Sequence, residues 1–119
     1  MKGMALKKTL GRIEVELQAI PVGDDLVVVI SGGRGHIGAV GAGTSCGGRA
    51  VSSVLTVPGH RDDRIAKDAA ERISKALRCN CAVVAGVHYD DITAQEIKDV
   101  LILSSSLVDE LEGALRTEG

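Results

Sequence analysis

The stretch LVVVISGGRGHIGAVGAGT, residues 26–44, decides the fold, because the turn inside it sets which strands are neighbours. LVVVI (26–30) is a short β-branched run with no polar alternation, the pattern of a strand buried on both faces. SGGRG (31–35) reads as a glycine turn, and HIGAVGAGT (36–44) as the next strand, thinned by glycine. A tight turn makes these two strands antiparallel neighbours.

Towards the N-terminus, RIEVELQAI (12–20) alternates strictly, with Ile13, Val15, Leu17 and Ala19 on one side and Glu14, Glu16 and Gln18 on the other. That is a half-buried strand. Pro21 to Asp25 form a turn, and residues 1–10 read as a loose N-terminal extension. Towards the C-terminus, SCGG turns the chain into RAVSSVLTV (49–57), which Pro58-Gly59 ends. The period then becomes helical over 62–78, with Ile65, Ala66, Ala69, Ala70, Ile73, Ala76 and Leu77 in one stripe. Asp68–Arg72 and Glu71–Lys75 are i,i+4 pairs of favourable orientation. CAVVAGV (81–87) is another strand, apolar throughout. Thr93 followed by Glu96 is a capping box. It opens a second helix carrying Ile97, Val100, Leu101, Val108, Leu111 and Leu115, with SSS (104–106) weakening its middle.

The predicted fold is a two-layer α+β sandwich of order β-β-β-β-α-β-α, a single domain over residues 1–119. Its sheet is five-stranded and mostly antiparallel, with two helices on one face. Strands apolar on both sides leave the other face to a second copy of the chain, so a homo-oligomer is expected.

Composition narrows the function. The chain has 119 residues, 15 glycines, one aromatic and a net charge of −2. The core must be aliphatic. At this length roughly two thirds of the unfolded surface can be buried, so folding requires no disulfide or metal staple. Without a basic face or stacking aromatics, nucleic acid is a poor partner. No apolar run approaches the roughly 18 residues needed to span a membrane. MKGMALKK is too short and polar for a signal peptide, and the reading is cytoplasmic. Cys46, Cys79 and Cys81 are an odd number with no second pair for a zinc site, and read as small buried side chains.

Antiparallel turns and a crossover helix place the ends of three segments at one sheet edge. The strand at 81–87 then runs in the direction of the strand at 49–57. His36, His60 and His88 converge there with Arg34, Arg61, Asp62, Asp63, Tyr89, Asp90 and Asp91. Each aspartate also has an ordinary role: Asp62 or Asp63 as a helix N-cap, Asp90 and Asp91 as turn residues. Tyr89 could equally seal the end of the sheet. Two chemistries suit such a rim. Three histidines with a carboxylate can hold a divalent metal such as zinc or iron, although no H-x-H or H-E-x-x-H spacing is present. Glycine amides, helix N-termini, arginines and protonated histidines instead favour a phosphate. No Ser-His-Asp or Cys-His arrangement is visible.

HIGAV (36–40), VLTVPGHRDD (54–63) and GVHYDDIT (86–93), in that order, resemble the LpdD-like prenylated-flavin chaperone family. These small proteins accompany UbiD-type decarboxylases, including gallate decarboxylase. The resemblance runs from about Ser31 to the end of the second helix. It implies a non-catalytic accessory role, in which prenylated FMN is bound and delivered to, or retained by, a UbiD-like decarboxylase. Carried over by motif, the positions at stake are His36, Pro58, Gly59, His60, Asp62, Asp63, His88, Tyr89 and Asp90. Chemistry adds Arg34 and Arg61, with the glycine turn, facing the phosphate, and sets Tyr89 and aliphatic strand ends against the ring system. The alternative remains a small metal-dependent enzyme using His36, His60 and His88.

Overall fold

The computed structural model describes the backbone of residues 1–46, 49–56 and 62–118, and the side chains of 1–45 and 62–116. Its elements run β1 (Met4–Leu10), β2 (Ile13–Val22), β3 (Asp25–Gly33), β4 (Ala39–Cys46), β5 (Arg49–Thr56), α1 (Asp63–Leu77), β6 (Cys81–His88) and α2 (Ala94–Glu118). The strands form one mixed sheet in the order β1-β2-β3-β6-β4-β5, in which only β3 and β6 pair in parallel. The α+β class and the predicted order of elements hold, with one strand more. α1 packs on β4, β5 and β6, α2 on β1 and β2, and the two helices touch.

Two expectations are corrected. Residues 1–10 are not a loose extension: β1 pairs with β2 from Met4↔Ala19 to Leu10↔Ile13 around Gly11-Arg12. Lys8 hides this strand by breaking the apolar alternation of Met4, Leu6 and Leu10. It sits on the helix side because its ammonium reaches Ser106 at 2.7 Å and Glu110 at 3.5 Å. Second, β3 and β4 are not neighbours. β6 inserts between them, parallel to β3 and antiparallel to β4. The direction predicted for β6 was right; its place in the sheet was not. SGGRG therefore makes no hairpin turn: β3 runs on to Gly33, and residues 34–38 cross the end of β6.

The helix-facing side carries the rows Leu17–Ile30–Ala85–Ala39 and Ala19–Val28–Val83–Gly41. Their side chains are buried, as are Ile65, Ala66, Ala69, Ala70 and Ile73 of α1. The glycines of β4 have a packing reason. A methyl on Gly41 would lie 2.6 Å from the Ala66 carbonyl, and one on Gly43 would strike that of Ala70. Absent side chains let the backbone of α1 rest on the sheet. α2 runs unbroken through its three serines and buries Val100, Leu103, Leu107, Val108, Leu111 and Leu115, while Ile97 is half exposed. Its capping box forms as predicted: Glu96 N–H donates to Thr93 Oγ1 at 3.0 Å, and Thr93 N–H to Glu96 Oε1 at 3.1 Å.

Candidate functional site

The segment 34–38 is a bridge anchored to β6 at both ends. Arg34 N–H donates to the His88 carbonyl and Gly38 N–H to the Ala85 carbonyl, each at 2.9 Å. Between these anchors the bridge lies so close to β6 that a methyl on Gly86 would coincide with the His36 carbonyl. Gly33, which starts the bridge, has φ of 61°, the left-handed region that favours glycine. Gly33 and Gly86 are thus explained by one strand being crossed at contact distance, whereas a methyl on Gly32 would strike the Glu14 carbonyl of β2.

The bridge brings four of the predicted site residues together. The rings of His36 and His88 lie 6.1 Å apart, edge to face. Arg34 Nη2 is 2.7 Å from Asp90 Oδ1 and 3.1 Å from His88 Nε2, which is itself 3.1 Å from Asp90 Oδ1. Hydrogen bonding from His88, then the Arg34 charge, holds the Asp90 carboxyl below its ordinary range. His88 Nε2 cannot serve both neighbours in one tautomer. With a proton it donates to Asp90; without one it accepts from Arg34.

Asp62 is buried at the start of α1 and does not cap that helix with its side chain. Its Oδ1 instead accepts the Val87 N–H at 3.1 Å, and Oδ2 lies 3.4 Å from His36 Nε2. This carboxylate pins α1 to β6 and faces the bridge histidine. A methyl on Gly38 would collide with it. Of the remaining candidates, His60 and Arg61, with Pro58 and Gly59, lie outside the described residues. Asp63 opens α1, and Asp91 adopts φ of 52° in the turn before α2.

Tyr89 goes the other way, across the end of β3 to β2. The regular β2–β3 ladder ends at Glu16↔Ser31. Beyond it, the Tyr89 hydroxyl accepts the Glu14 N–H and donates to the Glu14 carbonyl, both at 2.8 Å. One phenol stands in for a strand pair. Arg12, which sequence reasoning missed, buttresses it. Its guanidinium lies 5.7 Å from the Tyr89 ring centre, donates to the Asp90 carbonyl at 2.9 Å, and grips both Glu96 oxygens at 2.7 and 3.0 Å. That grip, followed by the Thr93 amide, holds the Glu96 carboxyl down at about 2. The only sequence signal was an arginine directly after the Gly11 turn.

At the opposite end of β6, burial pushes the Cys81 thiol up to about 12 and raises that of Cys79. Both are buried free thiols, and the side chain of Cys46 lies outside the described residues. Among the described residues, no group of three His, Cys, Asp or Glu is placed to hold a metal ion; the three-histidine alternative needs His60. No described helix is long and apolar enough to cross a membrane.

The family described as the prenylated flavin chaperone LpdD-like domain matches residues 9–116. The chain belongs to that family. It is 33% identical over 90 residues to Protein LpdD of Lactiplantibacillus plantarum, a match covering 69% of this chain and 64% of that protein. The fold of this chain also resembles a chain from the crystal structure of a chaperone complex for yeast 20S proteasome assembly. That likeness has a TM-score of 0.65 at 14% identity, covering 95% of this chain and 98% of the other, and concerns the fold alone.

Proposed function

We propose that this LpdD-like protein binds prenylated FMN at the bridge rim and delivers it to a UbiD-like decarboxylase, without catalysing a reaction itself. The observation that carries this reading is the exposed Arg34–His88–Asp90 cluster beside His36. Among the described residues only Nη2 of Arg34 is engaged, so Nε and Nη1 can meet a phosphate. The ion pair it makes with Asp90 has side chains 75% and 72% exposed. Exposed pairs of this kind are screened by water and salt and hold weakly, so a phosphate dianion can displace the carboxylate at little cost. A guanidinium also matches phosphate oxygens in a two-pronged geometry.

Ile37, at the middle of the bridge, is 61% exposed and offers an apolar contact for a prenylated ring system. Arg61 and His60, which lie outside the described residues, are kept in the proposed site on the VLTVPGHRDD motif. Flavin is cargo here, and the decarboxylase supplies the reacting groups. An open rim fits that division of labour: an enzyme would exclude water from its cofactor, whereas a carrier must release it.

The test is co-expression. The decarboxylase should carry more prenylated FMN, measured by its absorbance spectrum and by mass spectrometry, with this protein present than without it. Arg34→Ala should abolish most of the gain. Equal occupancy with and without the protein contradicts the reading.

A further inference from the structure

Among the described residues, the 34–38 bridge covers the sheet face opposite the helices at Gly86; the rest of that face carries no helix, and its centre is apolar. Two registered rows cross β2, β3, β6 and β4: Gln18–Val29–Val84–Val40 and Ile20–Val27–Ala82–Ala42. Neither row contains a charge. Ile20 is 49% exposed, and Val22, further along the same strand, is 57% exposed. The valines of β3, β6 and β4 are half-buried.

The second row has an order of sizes that matters. Across the sheet it reads large, large, small, small: Ile20, Val27, Ala82, Ala42. A two-fold axis along the strands, between β3 and β6, reverses the strand order of a facing copy and keeps each row at its own height. β2 then lies over the partner's β4, and β3 over its β6. Large meets small at each position: Ile20 over the partner's Ala42, Val27 over the partner's Ala82. In the other row Val29 meets the partner's Val84. The same operation sets Ile20 against the partner's cleft of about 480 Å3, which Val22, Val27, Ala42 and Ala82 line together with the polar Asp25 and Asn80. The Ile20 row is complementary to itself, and in the other row Gln18 lies over the partner's Val40.

From this we infer that the open face is a homodimer interface, two sheets packed face to face about that axis. Keeping strand direction under the two-fold gives the aligned sheet packing common in sandwiches, with sheets about 10 Å apart and about 30° offset by twist. The area suffices. With strands about 4.8 Å apart and same-face residues about 6.8 Å apart, six strands by the three rows clear of the bridge project roughly 590 Å2 per partner, or roughly 1,200 Å2 in all, above the threshold of about 1,000 Å2 that a specific interface should clear, with Asp25 at its margin.

Sedimentation velocity of the full chain from micromolar to hundreds of micromolar tests this directly. The protein should sediment as a dimer. Ala42→Ile places two large side chains in opposition and should weaken the dimer about tenfold or more, the range of an overpacked contact. Adding Ile20→Ala to the same chain restores large against small, and should recover most of the loss. Ile20→Lys, at an exposed position, should give a folded monomer with an unchanged far-UV circular dichroism spectrum, which guards against misfolding of Ala42→Ile. A monomeric wild type overturns the inference. So does a dimer indifferent to Ala42→Ile and Ile20→Lys, or a face protected from hydrogen exchange only when the decarboxylase is added.

Discussion

Two flanks of the β6 end use the same kinds of side chain to opposite effect. On the β2 flank, Tyr89, Arg12 and Glu96 are committed to one another and to the Glu14 backbone, and they close the sheet where its ladder stops. On the bridge flank, Arg34, His88 and Asp90 form an exposed cluster whose side chains, among the described residues, hydrogen-bond only to one another. His88, Tyr89 and Asp90 are consecutive, yet the middle one is structural while the outer two are available. Adjacency in sequence does not make a site; the direction in which each side chain leaves the strand end does.

Four substitutions sharpen this contrast, in descending order of effect. Gly86→Ala should be the most damaging, because the new methyl would coincide with the His36 carbonyl and lift the bridge off β6. A loss of about 2–3 kcal/mol in urea unfolding is expected, with flavin binding lost as well. Tyr89→Phe keeps the ring but leaves the exposed Glu14 N–H and carbonyl to water, and should cost about 0.5–1.5 kcal/mol with flavin affinity nearly unchanged. Arg34→Ala reverses the pattern: stability within about 0.5 kcal/mol of wild type, and flavin binding weakened tenfold or more.

The smallest effect is a pH dependence. Glu96 has its carboxyl held at about 2 in the folded chain, below its ordinary value near 4.5. Its contribution to stability is therefore complete above about 4.5 and is lost as pH falls towards 2. Glu96→Gln should flatten that part of the melting-temperature profile and leave the profile above pH 5 parallel to wild type. An unchanged acid limb would remove Glu96 from the clamp.

Much of this was legible in the chain, because it rests on local patterns. The alternation of 12–20, the helical stripe of 62–78 and the Thr93–Glu96 box each form as read. Strand order was not legible from the glycine turn, since 31–35 has the composition of a hairpin whether or not another strand passes beneath it. The stronger clue was elsewhere. LVVVI and CAVVAGV are both apolar on both faces, which is the mark of central, parallel neighbours. β1 was masked by Lys8, a charge on the buried side whose partners lie on α2, about a hundred residues away. In α2 the stripe read from Ile97 drifts off the true face, so Leu103 and Leu107 were missed.

At the rim, the meeting of His36, His88, Arg34 and Asp90 followed from strand direction alone, which the misplaced neighbour did not alter. The commitment of Tyr89 to Glu14 could not be read, because it depends on where a ladder between two other strands stops. Asp62 looked like a cap because aspartate before a helix usually is one. Here its carboxylate is drawn away by the Val87 amide and His36.

The most direct test is titration of the purified protein with reduced prenylated FMN, followed by fluorescence or calorimetry, for wild type, Arg34→Ala, His88→Ala and Tyr89→Phe. Saturable binding by wild type and Tyr89→Phe, weakened tenfold or more in Arg34→Ala and His88→Ala, is the predicted result. Binding that survives in Arg34→Ala and His88→Ala but disappears in Tyr89→Phe, or no binding by wild type, would contradict the account.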